Sequence, residues 1–388
     1  MEFVPGSMKG SKQEETSENE EQGQTEQSRQ TVAEENDAEQ AKTAGNLEVH
    51  FIDVGQGDAT LIKCDGHSML IDAGNNDKGT LVQNYLQHQG VETLDYVIGT
   101  HPDADHIGGM DVVLYKFDCK TIIMPDVANN TRTYDDVVQT MKNKGYKTTY
   151  PVVGETYTIG GAAFTIIAPN KEYGNDMNSW SVGVLLQNGN HRFLFTGDAE
   201  EGAEQDILQN GIDISADVYK VAHHGSNTAT SQAFLDAVHP TYAVISAGEG
   251  NSYGHPHAEV LNRLRAAGVS VFRTDEQGTI VASSDGTTLT WNMSPSESWQ
   301  AGEAKKSQNT EKSEKAADSQ NNAETDAAVS NPTDQTDGNS DVIVHITKTG
   351  EKYHSAGCQY LRKSDIEVTL SEAKARGLTP CSKCNPPQ

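Results

Sequence analysis

Ten consecutive residues, Thr100-His101-Pro102-Asp103-Ala104-Asp105-His106-Ile107-Gly108-Gly109, constrain this chain more than any other stretch. They place two imidazoles and two carboxylates within six residues. Leu94-Asp95-Tyr96-Val97-Ile98-Gly99 ahead of them reads as a short buried strand, and another apolar run follows the glycine pair. The polar groups therefore gather where a strand gives way to a loop or helix. His101 and Asp103 are two apart, so extended backbone turns both to one side. Asp105 and His106 come after a turn and approach from another direction. Groups crowded in this way repel or desolvate one another unless a cation holds them, which a divalent pair does. A polar turn with a helix-capping Asp accounts for a lone Asp-His, but not for the whole string.

The same pattern recurs. Phe195-Thr196-Gly197-Asp198 ends a strand with Asp, and Lys220-Val221-Ala222-His223-His224-Gly225-Ser226 ends the next with two His. Tyr253-Gly254-His255-Pro256-His257 follows a third strand, Asp58 sits in the loop Gly55-Gln56-Gly57-Asp58, and Asp72 closes Leu70-Ile71. Each alone reads as a cap or a polar turn; together they describe one edge of a fold and one site. Strand-like runs come first in bunches and then alternate with helical patterns at about 79–89, 133–144, 200–210, 230–237 and 257–267. Gln187-Asn188-Gly189-Asn190 reads as a hairpin turn. The class this implies is α/β, two packed sheets with helices outside.

Five motifs carry a resemblance: Phe51-Ile52-Asp53-Val54-Gly55-Gln56-Gly57-Asp58-Ala59, Leu70-Ile71-Asp72-Ala73-Gly74, His101 to Gly109, Thr196-Gly197-Asp198 and His223-His224-Gly225-Ser226. In this order they resemble the metallo-β-lactamase-fold hydrolases, and among these the competence DNA-uptake (ComEC-type) branch. The likeness covers about residues 46–292. It implies a four-layer αβ/βα sandwich and a dinuclear site for Zn²⁺ or Mn²⁺. His101, Asp103 and Asp198 would hold one ion, and Asp105, His106, Asp198 and His224 the other, with Asp198 bridging. The commonest superfamily form has His where Asp103 stands, and this chain matches the branch variant instead. Many relatives have a further His between the first cluster and Asp198. The only His in that interval here is His191, in the hairpin, while Asn178-Ser179-Trp180-Ser181 occupies the equivalent stretch. An extra carboxylate hardens the site and favours Mn²⁺ more than an all-His site would.

Two close cations activate a shared water near neutral pH and stabilise negative charge on a phosphoryl or carbonyl oxygen. Asp105 is expected to orient the nucleophile, and His223, where it is not itself the ligand in place of His224, to face the substrate. His255 or His257 is expected to protonate the leaving oxygen, and Lys220 or Ser226 to support the anion. Asp58 and Asp72 are expected to hold the ligand imidazoles and loop amides from behind.

The formal net charge of −27 is unevenly spread. Residues 1–45 hold 11 acids and 4 bases, with no apolar periodicity, and are expected to be disordered. Residues 295–340 hold 9 acids and 4 bases and read as a linker, in which Trp299 stands out as able to pack on the core. The domain at 46–294 keeps 31 acids against 14 bases, a balance that repels polyanions at long range. No run of eighteen apolar residues exists. The opening Met1-Glu2-Phe3-Val4-Pro5-Gly6-Ser7-Met8 reads as an artificial start, so a native leader is expected to be missing. The polar leader agrees with a protein secreted from, or tethered to, a bacterial surface.

Residues 341–388 hold 5 acids and 7 bases. Tyr353-His354-Ser355-Ala356-Gly357-Cys358 and Cys381-Ser382-Lys383-Cys384 have the His-x₃-Cys and Cys-x₂-Cys spacings of a tetrahedral structural zinc site. His354, Cys358, Cys381 and Cys384 would staple a small α+β module; a redox pair at Cys381 and Cys384 is the rival reading. The module resembles the zinc-binding domain of the Ada methyl-phosphotriester repair proteins. There a Cys at the position of His354 accepts the methyl group, so the His here argues against methyl transfer while keeping metal and DNA contact. Cys64 and Cys119 read as packed thiols.

The chain is thus expected to be an extracellular metal-dependent phosphodiesterase or nuclease acting on DNA or another phosphodiester, with nucleic acid as partner. The rivals are a phosphodiesterase on cell-wall or small phosphoesters (phosphorylcholine-esterase-like), a β-lactamase or lactonase, and a non-catalytic nucleic-acid-binding protein.

Overall fold

The structure is a computed structural model that describes Met1, residues 44–302 and, further on, 343–347, 352–355, 358–361, 366–375, 378–381 and 383–384. The expected disordered leader and most of the expected linker lie outside the described residues. The chain divides into two compact units, Met1–Lys312 and Ser313–Gln388.

In the first unit the strands run β1 Leu47–Phe51, β2 Thr60–Cys64, β3 His67–Ile71, β4 Thr93–Ile98, β5 Asp118–Ile123, β6 Thr148–Thr149, β7 Thr156–Ile159, β8 Ala162–Ala168, β9 Gly183–Asn188, β10 His191–Phe195, β11 Val218–Lys220, β12 Tyr242–Ile245, β13 Ser270–Arg273, β14 Ile280–Ser284 and β15 Leu289–Trp291. One sheet has the order β15-β14-β1-β2-β3-β4-β5-β6, the other β13-β12-β11-β10-β9-β8-β7. Their layering follows from the alternation of side chains along each strand. Val49, Phe51, Met69, Ile71, Phe193, Phe195, Val218 and Val244 point into a core between the sheets. The intervening Leu70, Leu61 and Val97 join a core beneath the helices Gly79–His88, Met110–Lys116 and Arg132–Lys144. Leu194, Tyr219, Ala243 and Ile245 join a third core beneath Glu201–Gln209, Gln232–Val238 and Ala258–Ala266. Strands buried on both faces read as continuous apolar runs, and each fully buried Phe or Leu contributes about 2–3 kcal/mol. This is the four-layer αβ/βα sandwich of the metallo-β-lactamase fold.

Within the first sheet β3, β4 and β5 are parallel, and within the second β10 to β13 are parallel. Their carboxy-terminal ends carry the loops with Asp72, His101, Asp198, His224 and His255. An open α/β sheet places its ligand groups at that edge.

The expected start of the linker at residue 295 needs correction. Ser296 donates its amide to Val271 O at 2.7 Å, and Gly302 donates to Pro256 O at 2.9 Å. Trp299 packs on the third core with the Arg265 guanidinium 4.9 Å from its ring centroid. Apolar contact from one Trp holds a stretch that composition alone marks as loose.

In the second unit β16 Ile343–Ile346, β17 Lys352–His354, β18 Ile366–Thr369 and β19 Thr379–Pro380 form a sheet in the order β18-β16-β17-β19, with a helix at Leu370–Ala375. Among the described residues its apolar core is small: Val344, Ile346, Tyr353, Val368, Leu370 and Ala373.

Candidate metal centre

Asp105, His106, Asp198 and His224 each offer a donor atom within 4.8 Å of the others. Their side-chain pairs are His106 Nε2 to Asp198 Oδ1 at 3.2 Å, His224 Nε2 to Asp105 Oδ2 at 3.3 Å and His224 Nε2 to Asp198 Oδ2 at 3.5 Å. The two Asp198 oxygens thus face different imidazoles. His101 stacks beside His106 with centroids 4.1 Å apart, and its Nε2 lies 3.8 Å from Asp103 Oδ2. His191 lies elsewhere: it opens β10 with Nδ1 2.7 Å from Ser284 Oγ.

The ring orientations are set from behind. Asp72 Oδ2 lies 2.8 Å from His106 Nδ1, while both Asp72 oxygens accept from Thr100, one from its amide and one from its hydroxyl, each at 2.8 Å. His224 Nδ1 donates to the Ser246 carbonyl at 2.9 Å. His101 Nδ1 has Thr100 Oγ1 at 3.2 Å and Ser181 Oγ at 3.3 Å. Partners that accept at Nδ1 leave each Nε2 with its lone pair free for a metal. The Nε2 atoms of His101, His106 and His224, and Asp198 Oδ1, are buried with no hydrogen-bond partner. Orphaned buried polar atoms are costly; those of His106, His224 and Asp198 belong to one donor group that fits a bound cation, with His101 stacked beside it.

The electrostatics agree. Burial opposes charge on His106 and His224, but nearby carboxylates overcome it. Asp198 and Asp72 raise His106 well above 6.5, and Asp198 with Asp58 raises His224 to about 10. Asp198 is held well below the usual carboxylate range: burial raises it, but the His106 and His224 charges more than offset that. The cradle demands positive charge, which protons supply when no metal does. His101 is pushed down to about 3 by burial and by His106, and stays neutral.

The backbone holds this arrangement under strain. Of the six non-glycine residues with positive φ among the described residues, three are Asp72 (59°), His223 (48°) and His224 (52°). Gly57 is required for close approach, since a Cβ there would strike the Asp105 carbonyl oxygen. At Gly197 a Cβ would come within 2.8 Å of Ser181 Oγ, the atom that accepts from the Asp198 amide at 3.0 Å.

A cleft of about 150 Å³ opens over the donors, lined by Gln56, Asp103, Asp105, Asn178, Asp198, His223, His224, Tyr253 and His255. His223 turns Nε2 toward Asp198 at 3.7 Å, with Nδ1 held by Thr228 Oγ1 at 3.1 Å and Glu200 Oε1 at 3.4 Å. His255 is buried and pushed down to about 3 by burial and by His224.

Three sequence-based assignments do not survive this geometry. Lys220, expected at the anion, is 3% exposed, with Nζ donating to Asp58 Oδ2 at 2.8 Å and to Val221 O at 3.1 Å. Its charge is committed inside the protein. Asp58 in turn lies 3.4 Å from His224 Nδ1 and donates its amide to the Asp105 carbonyl, so Lys220 acts on the donors from behind. His257 accepts from the Asn227 amide at Nδ1 and lies 3.3 Å from Tyr253 O at Nε2, which leaves no nitrogen for substrate. Ser226 is buried against Thr228. Sequence reading gave no role to Thr100, Ser181, Glu200, Asn129 or Ser246. Thr100 and Glu200 stand one and two residues from ligand candidates, the only signal they offered; Ser246 acts through a carbonyl, which sequence does not mark.

In the second unit His354, Cys358, Cys381 and Cys384 form one donor group. His354 Nδ1 lies 3.3 Å from Cys358 Sγ and 3.8 Å from Cys384 Sγ, and the Ser355 and Lys383 amides point at Cys384 and Cys381 sulfurs. The Lys383 amide lowers Cys381 toward thiolate, the form that binds zinc, whereas at Cys384 burial outweighs the Ser355 amide and raises the thiol to about 11.

Fold and donor set together define a metal-dependent hydrolase class, and the chain belongs to the metallo-beta-lactamase superfamily, whose profile matches residues 52–249. ComE operon protein 3 of Bacillus subtilis (strain 168) is 31% identical over 255 residues, 60% of this chain and 32% of the relative. Recombination protein 2 of Haemophilus influenzae is 33% identical over 238 residues, 60% of this chain and 28% of the relative. Competence protein ComA of Neisseria gonorrhoeae is 29% identical over 230 residues, 59% of this chain and 31% of the relative. The chain thus spans about a third of the length of these curated relatives. Among solved structures, the metallo-beta-lactamase fold protein YhfI from Bacillus subtilis is 12% identical with a TM-score of 0.42, covering 63% of this chain and 99% of that one. No helix among the described residues is long and apolar enough to cross a membrane.

Proposed function

We propose that the chain is an extracellular metal-dependent phosphodiesterase with nucleic acid as its leading substrate. The observation that carries this reading is the set of buried, unpartnered donor atoms on His101, His106, His224 and Asp198 beneath an open polar cleft. His101, Asp103 and Asp198 would hold one ion, and Asp105, His106, Asp198 and His224 the other. Bound there, two divalent ions activate water near neutral pH and neutralise charge on a phosphoryl oxygen. Asp105, partly open to the cleft, orients the nucleophile. His223, with Nδ1 occupied, presents Nε2 to a phosphate oxygen. His255 stays neutral, which suits it to hydrogen bonding rather than to proton donation. Asp72, and Asp58 with Lys220, hold the imidazoles in place. The names of the relatives, two of them competence or recombination proteins, support a nucleic-acid substrate.

A smaller phosphoester of the cell wall is the second reading. What favours it is the balance of 31 acids to 14 bases in residues 46–294. The test incubates the protein with plasmid, single-stranded DNA, bis-(p-nitrophenyl) phosphate and nitrocefin, each with Mn²⁺ or Zn²⁺, beside Asp198→Ala. Metal-dependent cleavage of DNA and diester is expected. Diester without DNA cleavage selects the smaller substrate, nitrocefin turnover alone selects a lactam hydrolase, and no turnover with DNA retained selects a binding protein.

A further inference from the structure

Most lysines of the folded body are committed to a carboxylate. Lys63, Lys78, Lys120, Lys171 and Lys220 lie 3.3, 3.1, 2.7, 2.7 and 2.8 Å from Glu48, Asp77, Asp95, Asp206 and Asp58. Among the described residues 44–302, the lysines that pair with no carboxylate within 4.0 Å are Lys116, Lys142, Lys144 and Lys147, and all are exposed. They share one end of two packed helices. Lys116 closes Met110–Lys116, Lys142 and Lys144 lie in the last turn of Arg132–Lys144, and Lys147 follows.

Tyr115 stands beside two of them, Lys116 and Lys144. At 65% exposure it is the most exposed large apolar side chain of residues 44–302. Lys116 Nζ lies 5.5 Å and Lys144 Nζ 5.9 Å from its ring centroid, and Lys144 is also 5.9 Å from the Tyr146 ring. Lys144 further donates to the Tyr115 carbonyl at 3.1 Å. Complementing the carbonyl ends of two helices explains the position of Lys116, Lys142 and Lys144. It explains neither Lys147 nor an aromatic face kept in water among cations.

We propose that this patch docks single-stranded nucleic acid, with a base stacked on Tyr115 and backbone phosphates on the four lysines. The inference rests on the phosphodiesterase reading and answers its main difficulty, because a strongly acidic body still offers one unpaired cationic surface to a polyanion. The patch also has a fixed relation to the cleft. At the other end of the same helix, Thr133 Oγ1 donates to Asn76 Oδ1 at 3.1 Å, and Asn129 just before it donates to Asp103 Oδ1 at 3.2 Å. The helix has 13 residues, which separates its ends by about 20 Å.

The test measures anisotropy of labelled oligothymidylate and of a duplex of equal length on the metal-free full chain, across a salt series. Single-strand affinity is expected to fall about tenfold in Tyr115→Ala, with duplex affinity unchanged. In Lys116→Glu/Lys144→Glu the slope of log affinity against log salt is expected to shallow by about 1.4, two phosphates' worth. The carboxy-terminal module adds the same background to every variant. Hydrolysis of bis-(p-nitrophenyl) phosphate by the metal-loaded variants should match the parent protein, and its absence in the parent would count against the cleft reading alone. The proposal is overturned if the parent chain binds no oligonucleotide. It is equally overturned if both variants keep its affinity and salt slope, if Tyr115→Ala weakens duplex as much as single strand, or if polyglutamate competes better than oligothymidylate.

Discussion

Two donor clusters among the described residues, one in each unit, offer opposite ways to hold a cation. In the large unit, Asp and His arrive from separate strand ends of two sheets, on a frame that already buries three apolar cores. In the small unit, one His and three Cys stand together beside a sheet whose core, among the described residues, is Val344, Ile346, Tyr353, Val368, Leu370 and Ala373. In the first case the fold presents the donors; in the second a bound ion would add to a core small enough to need a staple. Oxygen and imidazole donors on a strained backbone leave room for chemistry, whereas a sulfur-rich set closes around a structural ion.

The largest difference should appear on stripping the metal. A strong chelator, or Cys381→Ser with Cys384→Ser, should unfold the small unit, because structural zinc supplies about 10–16 kcal/mol to such modules. Amide NMR should show its resonances collapse while those of the large unit stay dispersed; a small unit that keeps its dispersion would erase the contrast. Next in size, Asp198→Ala should cut diester turnover by more than about 10²-fold without loss of fold by circular dichroism. Turnover close to the parent value would remove Asp198 from the centre.

Lys220→Met should lower metal affinity in the large unit by about 10–100-fold, read by competition with a chromogenic chelator. Asp58→Asn with Lys220→Met, a neutral pair of similar volume, should recover stability but not affinity. Unchanged affinity in the single variant would make the buried pair irrelevant to the donors. A smaller effect concerns protons. His224 is raised to about 10 without metal, so below that pH metal entry must expel its proton. Affinity should therefore climb with pH between 7 and 9, and calorimetry in buffers of different ionisation enthalpy should show protons released. The metal-free protein should show the reverse trend: the raised His224 stabilises it fully below about 6.5 and progressively less toward 10. Proton uptake on binding would break this account.

The same contrast explains what was legible in the sequence. The layers were readable because Val49, Phe51, Leu70 and Ile71 alternate between cores that a strand must serve on both faces. The donors were readable because imidazole and carboxylate rarely crowd strand ends without cause. What escaped was three-dimensional. Sequence marks Lys220 as an anion binder, but Asp58, 162 positions away, holds its charge. His257 looked equivalent to His255, but backbone contacts occupy both its nitrogens. Ser181 and Ser246 act through a hydroxyl and a carbonyl that no motif marks. The positive φ of His223 and His224, which swings one ring to the cleft and the other to the donors, depends on tertiary packing that overrides local preference.

Elemental analysis of the reconstituted full chain is the most direct measurement of the central claim. About three equivalents of divalent metal are expected in the parent protein, about two in Cys381→Ser/Cys384→Ser and about one in Asp198→Ala. A single equivalent in the parent, lost with the cysteines and indifferent to Asp198, would contradict the account.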